Sequence, residues 1–188
     1  APHRGWVLLG NAWTELFRNV PLLVQIFLWY HVVPALIPPL RGVPSFILVV
    51  LGLGLFTSAR ISEQVRAGIQ SLTGGQRMAG LAMGFTLPQT YRYVVLPMTF
   101  RIILPPLTSE FLNCIKNSSV ALTIGVMELT ARARSMQEFS FQVFEAFTAA
   151  TLIYLATNIL VVFAMRALER KVRVPGYIGS GGAPQAGH

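Results

Sequence analysis

Residues 74–97 read GGQRMAGLAMGFTLPQTYRYVVLP, and their reading decides the fold. The stretch is polar, basic and punctuated by glycine, and it lies between apolar segments long enough to cross a bilayer. Charged and polar groups of this kind are expensive in hydrocarbon, so the stretch has to face water on one side of a membrane. Its internal spacing is specific: Ala79-Gly80, three residues, Gly84, nine residues, then Val94-x-Leu96-Pro97. A short helix with a turn or close contact at Gly84 fits this pattern, because glycine has no Cβ to oppose it. Leu96-Pro97 then opens the next helix, in whose first turn proline is tolerated.

Composition agrees with a membrane setting. Hydrophobic residues make up 53% of the chain, charged residues 12%, and the mean hydropathy is +0.57. Soluble domains carry about 25% charged residues. The net charge of +8 does not imply nucleic acid, because the basic residues sit at the ends of apolar segments, as the positive-inside rule requires. There is no Asp in the chain, one cysteine (Cys114) and three separated histidines, so no catalytic set, metal site or cofactor is expected. The first residue is Ala1, and APHRGW lacks the pattern of a signal peptide, so a fragment or processed product is expected.

Charge-free intervals mark four expected spans. Between Arg18 and Arg41 lie 22 uncharged residues, and Gly42–Ala59 adds 18 more, with a proline-rich joint from Pro34 to Pro44. Charge returns from Arg60 to Arg101. A third apolar stretch, Ile102–Val126, contains Pro105, Pro106, Glu110 and Lys116. The last, Ala146–Met165, has 20 residues and ends on Arg166, Arg170, Lys171 and Arg173, which predicts a cytoplasmic C-terminus. Counting back puts Arg60–Arg101 in the cytoplasm as well, and leaves Glu128–Glu145 outside as a surface helix. The expected fold is an all-α polytopic bundle over 1–174, with a water-facing loop at about 68–97 and a disordered glycine-rich tail over 175–188.

These residues resemble the permeases of polar amino-acid ABC importers and, among them, the glutamate/aspartate branch. The loop is similar to the family's Glu-Ala-Ala…Gly…Ile-x-Leu-Pro coupling segment. Glu15 to Gln25 (ELFRNVPLLVQ) resembles the start of the second span, Lys116-Asn117-Ser118-Ser119 with Leu122-Thr123 the fourth-span core, and Glu128-Leu129-Thr130 the external segment. The resemblance implies a type I importer permease fold of five spans, of which the first is absent here. It also implies a bacterial inner-membrane location and no bond chemistry in this chain. Its partners would be an ATP-binding subunit, a periplasmic amino-acid-binding protein, a second permease subunit (the same chain or a related one) and membrane lipid. Gly75, Gln76, Ala79, Gly80, Gly84, Leu96 and Pro97 would couple to the ATPase. One departure is that Met78 stands where the family carries Glu.

Glu110 and Lys116 sit in an apolar segment, where an ionised group costs about 2.5–3.5 kcal/mol on insertion scales. Six residues apart, they lie about 9 Å apart along a helix and on different faces, so they should not pair. Lys116, Asn117, Ser118 and Ser119 could line a path for carboxylates; alternatively Lys116 snorkels or satisfies carbonyls freed by Pro105 and Pro106. Gln25 is a further candidate for an interior polar group. His31 among aromatics suits packing, and Cys114 a core position. A stand-alone secondary transporter or channel is the alternative, but only Glu110 among the acids lies within a span. An intramembrane protease using Ser118 or Ser119 with His31 would lack any motif.

Overall fold

The computed structural model describes residues 4–72 and 74–172, and every element among them is helical. The expected tail over 175–188 lies outside the described residues. The order is α1 (Arg4–Asn19), α2 (Leu22–Phe27), α3 (Val33–Leu36), α4 (Ser45–Ser71), α5 (Gly74–Ala82), α6 (Leu87–Thr90), α7 (Leu96–Asn117), α8 (Leu129–Ser140) and α9 (Val143–Val172).

Two helices are long and apolar enough to cross a membrane alone, α4 with 27 residues and α9 with 30. At 1.5 Å per residue they reach about 40 and 45 Å, beyond the roughly 30 Å hydrocarbon core. Both spans therefore outrun their uncharged intervals: α4 continues from Ala59 through Arg60, Glu63 and Arg66. Helical hydrogen bonds satisfy the backbone whatever the side chains do, so charge alone does not stop a helix.

The first expected span is not a single straight helix. Residues 22–36 form one helical run, bent by 102° from α1, and only the bent pair together has the length and apolarity of a span. Pro21, with φ −55° and ψ 140°, breaks the path because it has no N–H to continue α1. A π-turn at Leu28–Val32 joins α2 to α3 just before Pro34, and another at Tyr91–Val95 joins α6 to α7 just before Pro97. The wider turn relieves the clash between a proline ring and the carbonyl four residues back. Ile37 is extended ahead of Pro38, which ends α3.

The third stretch also starts earlier than its apolar composition suggests. Helical structure begins at Leu87, runs through the π-turn into α7, and passes Pro105 and Pro106 before tightening to a 3-10 helix at Ser118–Ile124. Gly125, at φ 78°, closes it. Arg101, Glu110 and Lys116 lie along this rod, so its burial relies on neighbouring helices more than on apolarity.

α4 and α7 form the central pair. Gly68 of α4 faces Thr99 and Ile103 of α7, and Arg60 faces Glu110, so the two run antiparallel. A Cβ at Gly68 would collide with Cγ2 of Ile103. Leu22 and Ile26 of α2, Val49 of α4 and Ala121 form the apolar core beside this seam. Trp29 packs onto Gly52, and His31 stacks on Phe27 and meets Tyr30 edge-on.

α1 is amphipathic in an inverted sense. Its polar edge grips α4: Arg66 donates to Asn11 at 2.6 Å, Trp13 to Ser58 at 3.2 Å, and Arg18 pairs with Glu63. Trp6, Leu8, Leu9 and Leu16 point outward. This arrangement suits a helix surrounded by lipid.

Gly68→Ala should destabilise the protein by about 1–3 kcal/mol, because a methyl there has to displace a packed Ile103. Gly54→Ala, with nothing within 4 Å of the new Cβ, should be neutral or stabilising. Thermal unfolding of both variants in detergent checks the contrast.

Candidate functional site

α5 is a helix of nine residues held beyond the end of α4. It ends in a Schellman cap: Phe85 N–H donates to Gly80 O at 3.2 Å and Gly84 N–H to Leu81 O at 3.0 Å. Gly84 sits at φ +85°, the left-handed conformation that a side chain opposes. Thr86 then opens α6, its N–H donating to Gln89 Oε1 at 2.9 Å. Thr86-x-x-Gln89 is a capping-box pattern legible in the sequence and not used above.

Gly80 is the point of closest approach between α5 and α6. A Cβ there would lie 2.7 Å from Cγ2 of Thr90, which is fully buried. Gln76, Arg77 and Gly74 of α5 line a cleft of about 240 Å³ with Ile69, Gln70, Leu72, Tyr91 and Val95. Gly75, Gln76, Ala79, Gly80 and Gly84 thus share one helix and its cap. Leu96 and Pro97 lie further along, inside a rod that is already helical from Leu87, so the connection between α4 and that rod closes earlier than the expected boundary at 97.

The residues expected to line a path sit at the other end of α7. Lys116 is exposed in the last turn and forms no ion pair among the described residues. Asn117 ends the α-helix; Ser118 and Ser119 begin the 3-10 helix, their hydroxyls donating to Ile115 O and Lys116 O, both at 2.7 Å. Gln25 is buried, and its Nε2 donates to Phe17 O at 2.8 Å and Val20 O at 2.9 Å. It thereby satisfies carbonyls at the α1 terminus and holds the 102° bend. The Gln25 helix touches the 3-10 segment through Leu22, Ile26 and Ala121.

The sequence reading missed an ion pair. Arg60 Nε donates to Glu110 Oε2 at 2.7 Å and Nη2 to Oε1 at 3.1 Å, a two-pronged clamp between α4 and α7. Glu110 is only 6% exposed and Arg60 40%. The signal was present: Arg60 follows 18 uncharged residues, and a lone interior acid needs a partner from another helix. Glu128 is likewise more than part of a motif. Its carboxylate accepts from the N–H groups of Thr130 and Ala131 at the start of α8 and from the Tyr154 hydroxyl at 3.0 Å, tying α8 to α9.

The described residues thus form a helical bundle in which a short glycine-capped helix is carried at the end of an antiparallel pair. Residues 8–174 match the binding-protein-dependent transport system inner membrane component family, and the chain belongs to that family. It is 49% identical over 188 residues to the glutamate/aspartate import permease protein GltJ of Escherichia coli, covering 95% of this chain and 76% of that one. It is 39% identical over 146 residues to the probable amino-acid ABC transporter permease protein PatM of Vibrio harveyi, covering 78% and 66%. It is 32% identical over 172 residues to the glutamine transport system permease protein GlnP of Escherichia coli, covering 90% and 78%. A crystal structure of an amino acid ABC transporter with histidines superposes with a TM-score of 0.80 at 30% identity, over 91% of this chain and 78% of that one.

Arg60→Met, which strands a buried carboxylate, should cost about 3 kcal/mol. The double variant Arg60→Met with Glu110→Leu should recover most of that loss; a double-mutant cycle by chemical unfolding measures it. Separately, Gly84→Ala should loosen the end of α5 by about 1 kcal/mol, read as faster amide exchange over 80–86.

Proposed function

We propose that this chain is the permease subunit of an ABC importer for glutamate and aspartate. The observation that carries the reading is 49% identity to GltJ across 95% of the chain. An ATP-binding subunit would dock on α5 and its cap, using Gly75, Gln76, Ala79, Gly80 and Gly84, with Leu96 and Pro97 continuing the rod behind them. Closure of that subunit would push the rigid α4–α7 pair as a body and switch the pathway between outward- and inward-open. A periplasmic binding protein would deliver the substrate, and a second permease subunit would complete the pathway. The C-terminus would be cytoplasmic, since α9 ends on Arg166, Arg170 and Lys171.

Chemistry at the α7 terminus fits an acidic amino acid. Lys116 offers an uncommitted cation for a carboxylate, and the Asn117 amide a second donor. Ser118 and Ser119 have committed their hydroxyl hydrogens to backbone carbonyls, so their oxygens remain as acceptors for an ammonium group. Gln25 positions the bend beside them.

In proteoliposomes with the ATP-binding and second permease subunits, ATP should drive uptake of labelled glutamate delivered by its binding protein, with glutamine uptake much slower. Lys116→Gln should raise KM for glutamate about tenfold, the loss of one charge-assisted hydrogen bond. Equal uptake of glutamate and glutamine, or an unchanged KM in the variant, would contradict the assignment of substrate or of site.

A further inference from the structure

Between Glu63 and Glu110 the chain carries Arg66, Arg77, Arg92 and Arg101 and not one acidic residue. Arg66 is turned toward Asn11 of α1, and Arg101 lies beside Met98. Arg77 and Arg92 are exposed, and among the described residues neither forms an ion pair. The Arg92 guanidinium instead stands 5.8 Å from the Tyr93 ring.

The same stretch of chain holds out apolar side chains. Met78 is 72% exposed, Met83 69% and Tyr93 60%, with Leu81 and Leu87 also exposed. Single exposed apolar residues are ordinary, but five within sixteen positions of a water-facing segment, rimmed by cations, make an interaction patch. Methionine is the residue that adapts best to a groove it does not itself shape.

We propose that this patch is complementary to an apolar groove rimmed by carboxylates on the cytoplasmic ATP-binding subunit. Met78, Met83 and Leu81 fill the groove, Arg77 and Arg92 meet the rim, and all the negative charge comes from the partner. The proposal rests on the reading of α5 as the docking helix and adds its polarity. Anionic lipid would also suit two arginines. A protein is favoured because α4 is longer than the hydrocarbon core is thick, which carries α5 and its methionines away from the bilayer.

The test uses the complete permease dimer in neutral phosphatidylcholine nanodiscs, titrated with labelled ATP-binding subunit at low and high salt. Arg77→Glu with Arg92→Glu should weaken association about tenfold at low salt, and much less at high salt. Met78→Glu should weaken it more than Met78→Lys, although both lose the same apolar contact. The three positions are exposed, and thermal unfolding of each variant checks that the bundle is intact. Tighter binding by Met78→Glu than by Met78→Lys, or no effect of the arginine reversal, would overturn the proposed polarity. So would an arginine effect that appears only when phosphatidylglycerol is added, which would assign the arginines to lipid. Failure of the wild-type dimer to bind the ATP-binding subunit at all would overturn the docking reading together with this inference.

Discussion

The seam between α4 and α7 carries the rest of the structure. At one place along it Gly68 lets Thr99 and Ile103 approach the α4 backbone; further along, Arg60 clamps Glu110 with two hydrogen bonds. Close packing and a buried ion pair constrain different things. The glycine sets how near the helices lie, and the ion pair sets their register, since a one-turn slip would strand Glu110 in an apolar interior. With spacing and register both fixed, α5 is carried on a pair of helices held together at two points along their length.

Around that seam, proline controls direction. Pro21 turns α1 away from α2, and Gln25 then supplies the hydrogen bonds that the broken helix cannot make for itself. Pro34 and Pro97 each follow a π-turn, which widens the helix ahead of the ring and keeps the rod continuous. The same residue type therefore breaks one helix and is absorbed in two others. The difference lies in whether the preceding turn can widen and whether another side chain can cap the freed carbonyls.

α5 combines rigidity with exposure. Its C-terminus is closed by a Schellman cap and its Gly80 is pressed against Thr90, so the helix is held firmly from behind. Its front presents methionines and arginines to water. A surface held this way suits the docking role proposed for it.

Much of this was legible in the sequence alone. The all-helical class, a helix following Glu128, the last span and the glycine-centred segment at 74–97 all follow from charge-free intervals and glycine spacing, because bilayer thickness and backbone sterics act on a chain locally. That Glu110 needed a partner on another helix was legible, but that the partner is Arg60 was not, nor was the role of Gln25, since each depends on residues 50 or 5 to 8 positions away meeting in space. The bend after α1 and the early start of the α7 rod were missed for a related reason. A run of apolar residues states how much hydrocarbon a segment tolerates; where its helix begins, widens or turns is decided by which carbonyls find donors once the helices have packed.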